Sequence, residues 1–571
     1  MLQLLNQVIH VVRQDGIMTA LGKIWRRIAV GREKDQYESW CSAYHSLSAE
    51  DIEQAKKNID GFDIRPLISI LMPVYDVDER WLWLAIDSVM AQIYENWQLC
   101  IADDCSSKPH VRPILEEYAA ADQRIKLVFR PENGHISAAS NSALEMVTGE
   151  FTALMDHDDE LAPEALYFVA KEINHHPAAD IIYSDEDKID ESNRRFDPYF
   201  KPGWSPDLLY SVNFVAHLIV YRTALIRGIG GFRVGYEGSQ DYDLALRAVE
   251  KTTPERIRRI PKVLYHWRAI RGSVALGSEE KPYAHERARM AINEHFERTG
   301  VAAKIIRGLG QLHRVIHDAP KPPPLVSVIV YGTGNDVELR NILRLDDSAY
   351  PTELIVVPAH TAASEPNISK YQRLNAVARS SSGEVLCFID GSTVRASKDC
   401  IDILIGHAIQ TGTGAAGAKI VYPNKRIKHA GFILGVNGVI GSAYRNALSI
   451  APGMFCRLDL ARNVSAVSID CLAVTRSGFD QRGGFDVVNF PEVYGDVDLC
   501  LRLIELGYTN VWTPWAEIVQ EAGAVRESSE ELERLIEKWP VYFESDPYYN
   551  PNLTLEGEDF SLAFPPRCEK I

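Results

Sequence analysis

From Pro66 onward, short runs of hydrophobic residues alternate with longer segments in which hydrophobic residues recur at helical spacing. The runs PLISILMPVY, WQLCIADD, IKLVFR and FTALMDHDD predict β-strands, the first of them stopped by Pro73. The segments WLWLAIDSVMAQ, VRPILEEYAAAD and ISAASNSALEMV predict helices. Strands that alternate with helices are typical of an α/β fold on a mostly parallel sheet, in which ligands bind beyond the carboxyl ends of the strands.

Residues 1–60 depart from this alternation. Hydrophobic residues from Leu4 to Val12 follow helical spacing, and the basic residues of the segment up to Lys34 outnumber the acidic ones. A basic amphipathic helix can lie on an anionic membrane surface, and it can also pack as a helical arm on its own domain. The sequence supports these two interpretations equally.

The second half of the chain repeats the first. The segment SNSALEMVTGEFTALMDHDD returns as RLNAVARSSSGEVLCFIDGS, and GGFRVGYEGSQDYDLALR returns as GGFDVVNFPEVYGDVDLCLR. The proline-rich linker at 321–324 separates the two copies, because proline disfavours both helix and central strand. We therefore predict a helical basic arm over 1–60, a first domain over 61–318, a second copy over 325–545 and a C-terminal tail over 546–571.

Composition narrows the class of protein. The 571 residues include 46% hydrophobic residues, which is typical of a globular protein, and their formal net charge is −17. So acidic a chain is a poor candidate for binding a nucleic-acid duplex, which needs a large basic surface. The nine cysteines form no C-x-x-C pair, no apolar run is long enough to span a membrane, and we expect no signal peptide, so we predict a reduced, cytoplasmic environment.

Acidic residues follow two of the predicted strands. Asp156 and Asp158 belong to the sequence DHDD, and oxygen ligands spaced in this way after a buried strand suit Mg²⁺ or Mn²⁺. Asp103 and Asp104 end the strand WQLCIADD, where a carboxylate can accept a hydrogen bond from a nucleotide base or ribose. The alternative for this second pair is a helix N-cap together with Ser106.

Two further candidates lie later in the first copy. Asp241 opens the helix of QDYDLALR, where it can act as a general base toward a sugar hydroxyl or simply complement the helix dipole. His266 follows another apolar strand in VLYHWR, where it can complete a metal site or have a structural role only.

Taken in order, the motifs PVY, IADD, DHDD, QDYDLALR and YHWR resemble those of an inverting family-2 glycosyltransferase with the GT-A fold. The resemblance covers residues 60–300 and, more weakly, 324–525. The motifs PENGHISAASNSAL, YSDEDK, YFKPGWSPDLL and NFVAHL resemble those of bacterial transferases for O-antigen and related surface polysaccharides, many of them rhamnosyltransferases. The resemblance implies a metal-dependent hexosyltransferase of lipopolysaccharide biosynthesis, with a nucleotide-diphosphate sugar as donor and a glycan or lipid-linked acceptor.

The resemblance also implies a role for each site residue. Asp241 would be the catalytic base, and the metal, Mn²⁺ or Mg²⁺, would be held by Asp156, Asp158 and His266. The donor would contact Pro73, Val74, Tyr75, Asp104 and Asp156. Acceptor contacts are expected from Asp185, Glu186, Glu237 and Gln240, although the acids of YSDEDK can equally cap a turn. Such an enzyme would work in the cytoplasm or peripherally on the cytoplasmic face of the inner membrane.

The second copy lacks several of these groups. Ser392 replaces the second metal carboxylate, Pro358 and Ala359 replace the two aspartates that end the IADD strand, and Gln520 and Glu521 stand near the position of the histidine. The acids that remain are Asp390, Asp496 and Asp498. We predict a degenerate copy that binds glycan or assembles the enzyme; the alternative is a second, metal-independent transferase with Asp496 as base.

Two other classes of function fit the sequence less well. A protein that only binds sugar would not need DHDD, Asp241 and His266 together. A sugar-phosphate nucleotidyltransferase would be expected to have a glycine-rich, basic phosphate loop near its start, and PVYDVDERW is not such a loop.

Overall fold

A computed structural model describes residues 36–270 and 282–571, except for 311, 333, 359–367 and 522–527. Most of the predicted basic arm, residues 1–35, lies outside the described residues. The described part of residues 1–60 is helical over 36–44 and over Ala49–Asp60, which begins with a capping box formed by Ser48 and Asp51. No helix among the described residues is long and apolar enough to cross a membrane.

The described chain contains twenty-two strands, numbered in chain order. They are β1 Ile68–Val74, β2 Trp97–Asp103, β3 Ile125–Phe129, β4 Phe151–Leu154, β5 Glu160–Leu161, β6 Ile181–Ile189, β7 Arg195–Tyr199, β8 Ile219–Arg222, β9 Ile257–Arg268, β10 Ala303–Arg307, β11 His313–His317, β12 Val326–Gly332, β13 Thr352–Pro358, β14 Val385–Asp390, β15 Thr393–Ala396, β16 Thr413–Val421, β17 Ile427–His429, β18 Phe432–Leu434, β19 Ile440–Ser442, β20 Arg462–Val464, β21 Cys471–Thr475 and β22 Thr509–Gln520.

The helices with bounds inside the described residues are α1 Ala49–Asp60, α2 Glu79–Met90, α3 Val111–Ala121, α4 His135–Met146, α5 Ala165–His175, α6 Pro206–Ser211, α7 Thr223–Gly228, α8 Gln240–Val249, α9 Pro282–Thr299, α10 Asp336–Leu343, α11 Lys370–Ser380, α12 Cys400–Ala408, α13 Arg476–Gln481, α14 Gly495–Glu505, α15 Ser529–Lys538 and α16 Pro540–Glu544. Short 3-10 turns occur at Pro254–Arg256, Leu345–Asp347, Val436–Gly438 and Met454–Cys456. The predicted helices of the first copy are confirmed as α2, α3 and α4.

The chain folds into two compact units. Among the described residues, unit 1 comprises 36–204, 213–299 and 564–571, and unit 2 comprises 205–212 and 300–563. Each unit has its own hydrophobic core, which surrounds β1 and β4 in unit 1 and β12 and β14 in unit 2. The strands at each centre are buried along their whole apolar length, as expected for sheets covered by helices on both faces.

The two sheets share one strand order. Unit 1 reads β3-β2-β1-β4-β8-β6-β9-β5 and unit 2 reads β13-β12-β14-β21-β16-β22-β15. Apart from β3, each strand of unit 1 in this series has its counterpart at the same place in unit 2, with the same parallel or antiparallel pairing. The predicted fold class, two tandem α/β units preceded by a helical segment, is therefore confirmed.

The repeat extends to single side chains. The amide of Asn141 exchanges two hydrogen bonds with the backbone of Phe232, at 2.8 and 2.9 Å, and Asn375 does the same with Phe485 at the same two distances. Gly149 approaches β1 so closely that a Cβ would collide with the carbonyl oxygen of Leu67. These contacts explain why glycine and asparagine recur at one offset in the two copies.

The structure differs from the sequence prediction in two details. The sheets are mostly parallel as predicted but include antiparallel strands that were not predicted, since β8 runs antiparallel to both β4 and β6. Strand β1 continues through Pro73 to Val74. Proline is accommodated there because the pairing of β1 with β4 has already ended at Leu71.

The last eight residues, 564–571, pack within unit 1. The Lys262 ammonium, almost fully buried, donates to the backbone carbonyl of Glu569, and Lys570 forms a 2.6 Å ion pair with Asp51. Ile571 packs against the core of the unit. The C-terminal segment thus contributes both apolar and polar contacts to unit 1.

We expect deletion of residues 564–571 to lower the free energy of unfolding of unit 1 by about 1–3 kcal/mol, because buried Lys262 loses its acceptor. Urea denaturation followed by tryptophan fluorescence measures this change. The control variant is Lys171→Ala, which removes a 3.3 Å pair with the exposed Glu569 and a distant contact with the Phe168 ring, and it should cost less than about 1 kcal/mol. Equal stability of the deleted and full chains would contradict the assignment.

Candidate active site

The loop after β4 carries the acids of DHDD, and one of them anchors it. Asp159 is 1% exposed, accepts a hydrogen bond of 2.6 Å from the Tyr265 hydroxyl and another of 2.7 Å from the backbone N–H of Arg268. Burial, with Asp158 and Asp156 close by, raises the pKa of Asp159 well above its usual value. Asp159 therefore fixes the loop to the end of β9.

The other two acids of the loop, Asp156 and Asp158, are half-buried. Their backbone is fixed, because the N–H of Asp156 donates to the Tyr265 hydroxyl at 3.1 Å and Arg268 donates to the carbonyl of Asp158 at 2.8 Å. The His157 ring lies 3.0 Å from the carbonyl oxygen of Pro73, which ties the loop to β1. A rigid backbone thus presents two carboxylates at the carboxyl end of β4.

His266 lies beside this loop and is oriented by a buried carboxylate. Glu160, two residues after Asp158, pairs in register with His266 across β5 and β9. The Nδ1 atom of His266 lies 2.6 Å from Asp187, which also accepts hydrogen bonds from Arg195 at 2.6 Å and from Tyr37 at 2.7 Å. Burial alone would raise the pKa of Asp187, but Arg195 and His266 outweigh it and hold the pKa at about 2.

These groups meet part of what a metal ion requires. Carboxylate oxygens suit Mg²⁺ or Mn²⁺, and an imidazole whose Nδ1 is engaged by Asp187 offers only Nε2, the arrangement common in metal-binding histidines. Within the described residues, however, no group of three or more His, Cys, Asp or Glu side chains forms a ready-made metal site. The donor set fits a divalent cation, but it is not assembled as a closed cluster.

Asp241 lies at the start of α8 and is half-buried. The side-chain amide of Asn213 donates to its Oδ2 atom at 2.8 Å. Burial, together with the negative charge of Asp156, raises the pKa of Asp241 to about 6, and hydrogen bonds from the backbone N–H of Tyr242 and the amide of Asn213 oppose this rise. A carboxylate with a pKa near neutrality is well suited to accept a proton.

Asp243 has a different environment although it lies only two residues away. It is fully buried and forms ion pairs with Arg233 and, at 2.9 Å, with Arg247. Arg247 also donates to the carbonyl oxygens of Ile229 and Gly231 at 2.9 and 2.6 Å. Asp243 therefore holds the preceding loop, and of the two acids only Asp241 has the features of a base.

The carboxyl ends of β1 and β2 hold the residues predicted to contact a nucleoside. Pro73 and Val74 are buried, whereas the Tyr75 ring is 46% exposed. Asp104 is buried and accepts hydrogen bonds from Arg130 at 2.7 Å and from the N–H of Gly134 at 3.0 Å. The alternative interpretation of Asp103 and Asp104 as a helix N-cap is wrong, because the next helix begins only at Val111.

Two of the predicted acceptor residues lie inside the sheet. YSDEDK is part of β6 and not a turn, so the interpretation of its acids as turn caps is wrong. Asp185 is fully buried and accepts from the backbone N–H of Lys201 at 2.9 Å, and Glu186 forms a 3.2 Å ion pair with the same lysine.

The other two predicted acceptor residues precede Asp241 in the chain, by four residues and by one residue. Glu237 forms a 3.0 Å ion pair with Arg287, and Gln240 accepts from the N–H of Gly238 at 2.8 Å. Both side chains are only partly buried.

In unit 2 the corresponding acids are engaged with protein groups. Asp390 accepts from the N–H of Ser392 at 2.8 Å, and Asp496 accepts from the N–H of Ile469 at the same distance. Asp498 pairs with Arg502 at 2.6 Å, which repeats the contact of Asp243 with Arg247.

Gln520 ends β22, the counterpart of β9, and is fully buried. It accepts from the Lys428 ammonium at 2.7 Å, and that ammonium also pairs with Asp470 at 2.9 Å. A half-buried lysine thus lies beside the residue that stands near the position of His266.

The structure adds residues that the motif analysis missed. Tyr265 and Arg268, which fix the DHDD loop, flank His266 within the segment VLYHWR. Asn213 opens the motif NFVAHL, to which the sequence alone assigns no role. The sequence signal for Tyr265 and Arg268 was their position close to His266 in the same motif. Only the fold shows which partner each of these residues contacts.

Comparison with known proteins gives a family match. The family described as Glycosyl transferase family 2 matches residues 69–228. The chain is 40% identical over 539 residues to an uncharacterized protein, y4gI, of Sinorhizobium fredii, with 88% of this chain and 59% of the relative covered. It is 30% identical over 557 residues to the O-antigen biosynthesis protein RfbC of Myxococcus xanthus, with 92% and 43% covered. The chain thus spans about half the length of these two relatives.

Among solved structures, the crystal structure of residues 1–349 of TarS from S. aureus matches 40% of this chain and 72% of that chain. The sequence identity is 21% and the TM-score is 0.31.

Proposed function

We propose that unit 1 transfers a hexosyl group from a nucleoside-diphosphate sugar to a hydroxyl of a glycan or lipid-linked acceptor. The premise is the match of residues 69–228, all but 205–212 of which lie in unit 1, to glycosyltransferase family 2. The reaction inverts the anomeric carbon. Its product belongs to a bacterial surface polysaccharide, and this part of the proposal is supported by the similarity to a protein named for O-antigen biosynthesis.

One observation carries the proposal: a half-buried carboxylate, Asp241, has its pKa raised to about 6 within electrostatic reach of Asp156. Inversion by a single displacement requires a base near the acids of the DHDD loop, which are proposed to lie on the donor side. Asp241 takes the proton of the acceptor hydroxyl as that oxygen bonds to C1 of the donor sugar. The bond from C1 to the diphosphate oxygen breaks on the opposite face, and the nucleoside diphosphate leaves with the electron pair.

Asp156 and Asp158, with His266 through Nε2, would hold Mn²⁺ or Mg²⁺. Such an ion, when bound, stabilises the negative charge that develops on the departing diphosphate. The chain's own contribution is rigidity: Asp159 anchors the loop, and Asp187 orients the imidazole through its hydrogen bond of 2.6 Å. Both anchors fix the ligands before an ion arrives, which reduces the cost of ordering them.

The donor's nucleoside would lie across the ends of β1 and β2. The exposed Tyr75 ring offers a stacking surface, and Pro73, Val74 and Asp104 are buried at the ends of the same two strands. On the acceptor side Glu237 and Gln240 precede Asp241 near the start of α8, whereas Asp185 and Glu186 support the site from within β6. We assign Asp185 and Glu186 this supporting role because both side chains are buried.

The lipid-linked acceptor also fits the predicted arm. A basic amphipathic segment on a chain of net charge −17 would bring the enzyme to the cytoplasmic face of the inner membrane, where such acceptors present their sugars.

Unit 2 is proposed to be inactive in transfer and to bind glycan or assemble the enzyme. Its acids are engaged by Ser392 and Ile469, and a lysine ammonium lies beside Gln520. The alternative is a bifunctional enzyme in which Asp496 serves as a second base.

We expect Asp496→Asn to leave sugar transfer within about twofold of wild type, because transfer depends on Asp241 of unit 1. Product analysis with an extended acceptor measures this. Loss of one of two distinct linkages in the Asp496→Asn product would show that unit 2 is an active transferase. If instead Asp496→Asn makes the wild-type product and Asp241→Asn makes neither linkage, all transfer takes place in unit 1.

A panel of nucleoside-diphosphate sugars tests the proposal. Thermal unfolding of the full chain with Mn²⁺ is measured with each donor, and binding of one of them should raise the unfolding midpoint by mass action. The Asp156→Ala variant is the matched control, and its midpoint should no longer respond. A chain that responds to no donor would contradict the proposed donor class.

A further inference from the structure

Asn213 is the first residue of the segment NFVAHL and lies next to the proposed base. Its Nδ2 atom donates to the Oδ2 atom of Asp241 at 2.8 Å. Asp241 also accepts from backbone N–H groups at the start of α8, and Asp156 is the nearby acid that acts on it electrostatically. Asn213 is the side-chain donor that fixes the direction of this carboxylate.

The chemistry of the pair sets the orientation of the amide. An ionised carboxylate only accepts hydrogen bonds, so the NH₂ end of Asn213 must face Asp241 whenever the base is ready to take a proton. The amide oxygen then points away from Asp241. The hydrogen bond to Asp241 therefore determines where the amide oxygen of Asn213 lies.

That oxygen has no hydrogen-bond partner within the described part of the chain, although it is shielded from solvent. The hydroxyl of Tyr221, a fully buried residue within electrostatic reach of Asp241, is likewise without a partner among the described residues. Buried polar atoms are rarely left unsatisfied in folded proteins, and those that are often serve a ligand. Two such atoms around one carboxylate indicate a missing polar partner.

Unit 2 provides an internal comparison. Arg222 pairs with Phe151 in unit 1, and Thr475 pairs with Val385 in unit 2, which aligns the two strands that follow the segment. Counting back nine residues places Ala466 at the position of Asn213. In unit 2 the amide is therefore missing, and Asp496 accepts from the backbone N–H of Ile469 instead.

We propose that Asn213 is a positioning and specificity residue: its NH₂ group orients Asp241, and its amide oxygen accepts a hydrogen bond from a hydroxyl of the acceptor sugar adjacent to the reacting one. This inference rests on the proposed function for the role of Asp241. It identifies the acceptor as a polyol whose neighbouring hydroxyl is read by an amide. An acceptor that lacks that hydroxyl would leave the oxygen unpaired and would be rejected.

The test measures acceptor binding separately from transfer. Binding of methyl glycosides of hexoses and deoxyhexoses to the full chain, with Mn²⁺ and nucleoside diphosphate present, is followed by saturation-transfer NMR. Asn213→Ala should weaken binding of the recognised glycoside about tenfold, the scale of one lost hydrogen bond in a buried site, and leave nucleoside diphosphate binding unchanged. Asn213→Asp keeps an accepting oxygen, so it should retain glycoside binding while kcat falls.

Asn174→Ala is the matched control. Its amide is satisfied at both ends by the backbone of Ile64 and Ala170, so this change should reduce stability without altering glycoside binding. Glycoside binding equal to wild type in Asn213→Ala, or a wild-type chain that binds no glycoside, would overturn the inference. A chain that binds glycosides through Asn213 but transfers no sugar would uphold the inference and overturn the proposed function.

Discussion

Replacing Asp241 by asparagine should reduce sugar transfer by at least ~10²-fold, the usual contribution of a general base. The substitution keeps the shape of the side chain and removes its basicity. Donor affinity should change little, because Asp241 faces Asn213 and the acceptor side of the site. Steady-state kinetics together with donor binding measure the two effects separately.

The same base sets the pH dependence. Because burial raises the pKa of Asp241 to about 6, the fraction of ionised base falls as pH drops below 6, and kcat/KM should fall about tenfold per pH unit there. Asp243→Asn is the contrasting variant, since it breaks the ion pairs with Arg233 and Arg247 and should lower stability rather than shift the pH profile. If Asp241→Asn keeps its turnover but loses donor affinity, Asp241 has only a structural role at the start of the helix.

Replacing Asp158 by alanine should abolish transfer while the fold persists. The loop is anchored by Asp159, which is untouched, so the change removes one half-buried carboxylate while the loop keeps its anchor. Loss of one of two oxygen ligands should weaken Mn²⁺ binding and remove stabilisation of the departing diphosphate. Mn²⁺ titration by electron paramagnetic resonance and transfer assays with and without a chelator measure both effects.

Asp197→Ala serves as the control, because this acid of the same unit is exposed and its ion pair, at 2.6 Å, is with Lys188 rather than with a proposed metal ligand. Its Mn²⁺ affinity and turnover should match wild type. Chelator-insensitive activity, or near wild-type turnover in Asp158→Ala, would contradict the metal assignment.

The elements of the fold were predictable wherever the information is local. Short apolar runs and helical spacing were enough to predict β1, β2, β3 and β4 with the helices between them, and the repeat predicted a second unit of the same order. The antiparallel insertion of β8 was not predictable, because the direction of a strand depends on the path of the connecting chain and leaves no local pattern.

The candidate site likewise has features that the sequence predicts and features that it does not. The acids of DHDD stand out because they follow an apolar strand directly. The partners that give each acid its properties lie far away in sequence: Asn213 is 28 residues from Asp241, and Tyr37 is 150 residues from Asp187. Burial and such long-range contacts separate the anchored Asp159 from the half-buried Asp156 and Asp158, which the sequence alone presents as equivalent.

Sugar transfer by unit 1 with inversion is the central claim, and the anomeric configuration of the product tests it most directly. The full chain is incubated with Mn²⁺, a nucleoside-diphosphate sugar that raises its unfolding midpoint, and a glycan acceptor, and the linkage formed is determined by NMR. The proposal predicts a product whose anomeric configuration is opposite to that of the donor and which is absent with Asp241→Asn. A product that keeps the donor's configuration, or one formed equally by Asp241→Asn, would contradict it.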